Sequence, residues 1–198
     1  MSKRPNTEQR RAEIVNALQT VIAEHGYAKA TIQLIAQKAG LTPGLIHYHF
    51  KTKVEILLEL VRMLAELPRQ RYIQFAANAK TPDEKLLAYI NARLATGGGA
   101  NPTAVAAWVM IGAEAVRQPE VRKIYQKAIG AEFALLNDLI TDCLIAKHKD
   151  TADVANYAAG LLALMEGAFQ LACTAPHTLP SGYAASMAVQ YVRQHAVV

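Results

Sequence analysis

This sequence has little of what disulfide, metal or membrane chemistry requires. Its 198 residues hold two cysteines, Cys143 and Cys173. That is too few for a disulfide framework, and neither has metal-ligand spacing. Both lie in apolar helical patterns and read as small core residues in a reducing compartment. No stretch alternates with period two, so a sheet is not expected. The longest uncharged tract follows Glu166 and reads as helix with polar punctuation, not as a clean membrane span. Met1 to Thr7 runs into a charged helix with no apolar signal region. There are no repeats and no low-complexity segment. The expectation is a cytoplasmic chain with no membrane partner.

Hydrophobic residues make up 52% of the chain and charged ones 19%, at a mean hydropathy of +0.09. That is enough apolar mass for a sizeable core and argues against disorder. The length allows one domain or two small ones. The formal net charge of +5 is distributed unevenly. Residues 1–53 carry eight Lys and Arg against three acids, whereas the remainder carries thirteen of each. A polyanionic partner for the first quarter alone is the natural reading. The neutrality of residues 54–198 speaks against a protein that coats DNA without sequence choice.

Helix signals dominate the chain. Asn6 with Gln9 suggests a cap for a first helix, which Gly26 ends. Thr31 precedes a short helix from about Ile32 to Ala39 that stops at Gly40. Thr42 and Pro43 open a third. Thr52 and Glu55 form a capping box for a fourth, running up to Pro68. Thr81-Pro82-Asp83-Glu84 begins a fifth. Gly97 to Pro102 reads as a flexible connection. Further helices start near Pro102, at Pro119 and at Asp150-Thr151, and the last is capped by Ser181. The expected architecture is all-α: a three-helix helix-turn-helix domain over residues 1–53 and a larger helical domain for ligand binding and dimerisation over 54–198.

Within residues 31–50, Ala36, Gly40 and Ile46 stand at positions 5, 9 and 15 of a helix-turn-helix pattern. The small Ala36 permits close helix packing, Gly40 can turn left-handed, and Ile46 points into the core. Thr42, Pro43, Gly44, His47 and Tyr48 are left facing outward, as a helix entering the major groove requires. Of these, Thr42, Pro43, Gly44 and His47 lie nearest the base edges. Tyr48, His49 and Lys53 can reach one backbone strand, and Thr31 and Gln33 the opposite one. Lys53 sits in the first turn of its helix, where the dipole disfavours a cation. A phosphate between it and the helix N–H groups accounts for that placement. The i, i+2 spacing of His47 and His49 sends them to different faces, so no metal site is expected.

Thr31-Ile32-Gln33-Leu34-Ile35-Ala36-Gln37-Lys38-Ala39-Gly40-Leu41-Thr42, then Gly44-Leu45-Ile46-His47-Tyr48-His49-Phe50-Lys51-Thr52-Lys53, closely resembles the DNA-binding domain of the tetracycline-repressor (TetR) family. The resemblance covers roughly residues 7–60. Trp108 to Glu114, Pro119-Glu120-Val121, Tyr125 and Leu164-Met165-Glu166-Gly167 are similar to the subgroup typified by the choline-sensing repressor BetI. The resemblance implies a repressor that binds a palindromic operator in double-stranded DNA as a homodimer and leaves it when a small-molecule effector binds. A constitutive regulator without a ligand is the alternative.

The residues point the same way. Between Asp153 and Arg193 the only charged residue is Glu166, too little for a solvated helix pair. A two-fold four-helix bundle with a second copy would cover those faces, Gly160 and Gly167 allowing close approach. Trp108, Ile111, Glu114, Tyr125, Glu166, Phe169 and Gln170 are the candidate lining of a pocket for a small, partly apolar ligand, a cation suiting its acids. Against this, the aromatics would be ordinary core and Glu166 the partner of Arg93 or Arg117. No nucleophile–base pairing, Glu-x-x-His pair or phosphate loop occurs, so no catalytic residue, metal or cofactor is expected.

Overall fold

The structure is a computed structural model that describes the backbone of residues 4–94 and 101–197 and the side chains of 7–94 and 101–195. Among the described residues there is no strand, and the helices are α1 (Arg4–His25), α2 (Ile32–Ala39), α3 (Pro43–His49), α4 (Lys53–Ala76), α5 (Pro82–Leu94), α6 (Pro102–Ala115), α7 (Pro119–Ala146), α8 (Val154–Thr174) and α9 (Tyr183–Val192), followed by a π turn, Arg193–Val197. The chain is all-α, as its patterning predicts. The expected Gly97 to Pro102 connection lies largely outside the described residues.

The chain forms two compact units, one of residues 1–65 and 101–128, the other of 66–100 and 129–198. In the first, α1 packs against α2, α3 and α6. Its core includes Ile14, Leu18, Ile22, Tyr27, Ile35, Ile46, Phe50, Leu57 and Ile111. In the second, α5, α8 and α9 pack together around Leu86, Ile90, Leu136, Ile140, Leu161, Met165 and Val192.

Local chemistry sets most helix ends. The Thr31 hydroxyl accepts from Leu34 N–H at 3.1 Å and that of Thr42 from Leu45 N–H at 3.3 Å. Gly40 takes φ 66°, letting Leu41 N–H reach the Ala36 carbonyl at 2.9 Å. Thr81 and Glu84 form a reciprocal box, which holds the Glu84 carboxyl below its ordinary range through the N–H groups of Lys80 and Thr81.

Several sequence expectations are corrected. α1 begins at Arg4, so Asn6 lies inside it. α4 continues through Pro68 to Ala76; a proline forfeits only one ladder bond, and the apolar pattern on both sides outweighs that. α8 starts after Asp153 and not at Asp150-Thr151. α9 is entered from Gly182 at φ 74° with no side-chain cap, so Ser181 does not cap it. Cys143 is buried, but Cys173 is exposed: the C-terminal turns of α8 are apolar on both faces, and periodicity cannot tell the inner from the outer. For the same reason α8 is, by length and composition, long and apolar enough to cross a membrane. Ala158, Leu161, Leu162 and Met165 nevertheless bury one side of it in the core of its own unit.

Candidate functional site

In the first unit, α3 presents Thr42, Pro43, Gly44, His47 and Tyr48 to solvent while burying Ile46. Tyr48 is 79% exposed. Its ring lies edge-on to His49, 5.0 Å away. Thr31 and Gln33 are also exposed, at the start of α2. Because the cap oxygens of Thr31 and Thr42 accept from helix N–H groups, their own protons remain donors for an acceptor outside the chain.

Two cations hold this surface in place. The Arg11 guanidinium donates to the His49 carbonyl at 2.7 Å, lies 3.9 Å from the Phe50 ring centroid and reaches Glu59 at 3.5 Å. It thereby ties α1 to the end of α3 and to α4. Sequence reasoning missed Arg11, because its partners lie 38 and 48 residues away. Lys53, expected at a phosphate, donates to the Tyr27 carbonyl at 3.0 Å with its Nζ 4.1 Å from the Tyr27 ring centroid. Burial lowers the affinity of its amine for a proton, and the nearby Glu114 opposes that. Tyr27, also unforeseen, is buried, and its hydroxyl is pushed up to about 12 by desolvation, then by Glu120 and Glu114. An ammonium with one bond to a carbonyl keeps two N–H donors.

The expected ligand residues fall into two groups. Trp108, Ile111, Glu114 and Tyr125 belong to the first unit. The Trp108 and Tyr125 rings lie 4.9 Å apart, and Tyr125 packs on Gly112, where a Cβ would meet its hydroxyl at 3.1 Å. Ile111 is fully buried, and Glu114 accepts from Gln118 at 2.7 Å. Glu166, Phe169 and Gln170 belong to the second unit. There Arg93 donates to Glu166 at 3.3 Å, approaches Glu132 at 4.0 Å and lies 5.1 Å from the Phe169 ring centroid. Tyr89 donates to Glu132, a residue sequence reasoning did not single out. Desolvation raises the Tyr89 hydroxyl further above its ordinary range. This cluster sets two carboxylates against one guanidinium in a largely buried setting, and the Arg93 Nε is buried without a hydrogen-bond partner. Gln170 is exposed one residue beyond Phe169.

Comparison with known proteins divides the chain differently from these two units. Residues 14–60 match the bacterial regulatory proteins of the tetR family, and residues 82–197 match the C-terminal domain of the BetI-type transcriptional repressors. The HTH-type transcriptional regulator BetI of Agrobacterium fabrum is 31% identical over 164 residues, covering 81% of this chain and 75% of that protein. A TetR-family regulator from Rhodococcus sp. superposes with a TM-score of 0.83 at 20% identity, over 96% of this chain and 99% of the other. A transcriptional regulator from Saccharomonospora viridis, solved in complex with choline, gives 0.80 at 23% identity over 96% and 99%. An exposed helix-turn-helix face, its bracing cations and both family matches lead to one assignment: the chain belongs to the tetR family of bacterial transcriptional regulators, with a C-terminal region of the BetI type.

Proposed function

We propose that this regulator is a cytoplasmic repressor whose two copies bind a palindromic operator through α3 and are released by a small-molecule inducer. The observation that carries the DNA half is the outward face of α3, whose four exposed residues, Pro43, Gly44, His47 and Tyr48, lie outside the chain's own core beside the exposed cap Thr42. Thr42, Pro43, Gly44 and His47 read base edges; Thr31, Gln33, Tyr48, His49 and Lys53 contact the backbone. The reading head is assigned to residues 1–53, and 54–198 to ligand and dimer functions.

The dimer reading is supported by one stripe along α8. Asn156, Ala159, Ala163, Gly167, Gln170 and Thr174 are exposed, at successive spacings of three or four residues. All are small or uncharged, as closely packed helices of two copies require. Two-fold symmetry then demands a two-fold operator. Selection from a random pool of duplexes tests this: enrichment of an inverted repeat is expected, with half-sites one helical turn or a multiple apart. Enrichment of a single unrepeated site would overturn it.

Effector recognition is assigned to the second unit, where Glu166, Phe169 and Gln170 stand with Arg93 and Glu132. The excess carboxylate favours a small cation, and a fold relative carries choline. Trp108, Ile111 and Tyr125 are assigned to the packing of α6 and α7. Release then follows from preferential binding to a conformer whose heads no longer match the half-site spacing. The Arg93–Glu166 pair also favours a second reading, in which Glu166 is scaffold and regulation is constitutive. A rise in melting temperature with choline, together with loss of operator binding, supports the inducible reading. The absence of both with any small cation supports the constitutive one.

A further inference from the structure

We propose that Arg93 is a built-in substitute for the effector's cationic group: its guanidinium occupies, between Glu132 and Glu166 and against Phe169, the place where a small organic cation binds, and the effector enters by displacing it. This rests on the assignment of effector recognition to that cluster. The four residues come from α5, α7 and α8 of one compact unit. Carboxylates and an aromatic ring are what a protein offers a small organic cation. Here a side chain of the same charge already uses all three groups. Arg93 lies 3.3 Å from Glu166, 4.0 Å from Glu132 and 5.1 Å from the Phe169 ring centroid.

The fit of Arg93 is poor for a permanent structural cation. A buried guanidinium needs partners for its fork of N–H donors, and bidentate pairing with a carboxylate is the strong form. The Arg93 side chain is 6% exposed, so water supplies little. Its bond to Glu166 is 3.3 Å long, whereas the pairs Lys38–Glu24 and Lys147–Asp83 close to 2.7 and 2.8 Å. The approach to Glu132 at 4.0 Å is beyond hydrogen-bond range, and that carboxylate accepts from Tyr89 instead. The Arg93 Nε is buried with no partner at all. A buried donor left unsatisfied is destabilising, and expelling the guanidinium relieves it. A quaternary ammonium has no N–H to satisfy, so it takes up the same charges without that penalty.

The displaced side chain has a second place to go. Arg93 lies in the last turn of α5, where the helix dipole favours a cation and long basic side chains reach the terminal carbonyls. Held by its own arginine, the cluster ties α5 to α8 through the bond to Glu166. Taken by the effector, it gives up that tie, and binding is thereby linked to a change within the unit.

The test uses the full chain, choline chloride as the probe, equal sodium chloride as the control, and melting temperature followed across the titration. Arg93→Met removes the competing charge. Its half-saturating choline concentration should lie about 10- to 100-fold below that of the parent, the range of one hydrogen bond to a charged group. Breaking a buried pair destabilises the unliganded protein, so a second variant guards against unfolding. Arg93→Met with Glu132→Gln restores the net charge of the parent cluster, and the new amide oxygen still accepts from Tyr89. This double variant should also bind choline more tightly than the parent, because only the competitor is missing. A gain confined to Arg93→Met would reduce the effect to net charge and overturn the proposal. Weaker binding by both variants overturns it as well, making Arg93 a ligand contact or scaffold. Failure of the underlying assignment shows separately: choline would then give the parent and both variants the same half-saturation, or shift none of them.

Discussion

α3 and α8 both expose a face that the chain's own core does not need, and the two faces differ in kind. Around α3 the exposed groups are a hydroxyl, a glycine, an imidazole and a phenol, in a first quarter of the chain that holds the whole excess of positive charge. Along α8 they are alanines, a glycine and neutral amides, in a span with one charged residue. Polar donors amid cations fit a polyanion that brings its own counter-charge. Small neutral residues fit only another surface that is equally neutral and close. Exposure alone is therefore no guide to partner; the chemistry around the exposed face is.

The sharpest way to break this comparison is to put a charge on α8. At Gly167 an added Cβ meets nothing within 4 Å in its own chain. Gly167→Glu should therefore leave the protomer folded, even gaining roughly 0.5–1 kcal/mol of helix propensity. At a dry interface between copies the same charge costs about 2–5 kcal/mol. Sedimentation should show a dimer for the parent and a monomer for the variant, with circular dichroism unchanged. A dimeric variant would move the interface elsewhere. Leu161→Glu is the control: Leu161 is 0% exposed in its own core, so a charge there unfolds the protomer instead of merely parting two copies.

The second test concerns how the α3 face is held. Arg11→Met removes the bond to the His49 carbonyl, the contact with Phe50 and the link to Glu59. A loss of about 1–3 kcal/mol is expected, read as a lower melting temperature. Discrimination between a selected site and mixed-sequence DNA should fall with it, because a looser α3 reads bases less well. Unaltered discrimination would leave Arg11 as scaffold only.

The two regions were not equally legible. α2 and α3 can be bounded from sequence because each end carries its own chemistry: Thr31, Gly40, and the Thr42-Pro43 pair. α8 has no such punctuation, and both of its faces are apolar, which is why the exposed Cys173 reads as core. Pro68 misleads because a proline inside a helix and one that ends it look alike in sequence. Arg11, Tyr27 and Glu132 were out of reach for another reason. Their roles arise from tertiary contacts spanning 26 to 48 residues, and no local pattern encodes those.

Next in size is Glu166→Gln, which asks whether the one charge in the α8 span belongs to scaffold or to ligand. Gln can still accept from Arg93, and Glu132 keeps an oxygen 4.0 Å from the guanidinium. The loss of stability without ligand should be about 1 kcal/mol, with operator affinity retained. Choline should then raise the melting temperature of the parent and not of the variant. Equal shifts in both would remove Glu166 from the ligand site, and a collapse of stability would make it scaffold.

The smallest expected effect belongs to Lys53. Its ammonium is partly engaged by the Tyr27 carbonyl and ring, so DNA gains from it only what those contacts leave available. Lys53→Met keeps the stem that packs in the half-buried site and removes one positive charge. The slope of log affinity against log salt should become shallower by about one. The loss should be similar for a selected site and for mixed-sequence DNA, since a phosphate carries no sequence information. Stability should change little, because desolvation already works against the charged amine where it sits. An unchanged slope with altered preference among sequences would instead put Lys53 at a base edge, and the division of the head into backbone-contacting and base-reading residues would have to be redrawn around it.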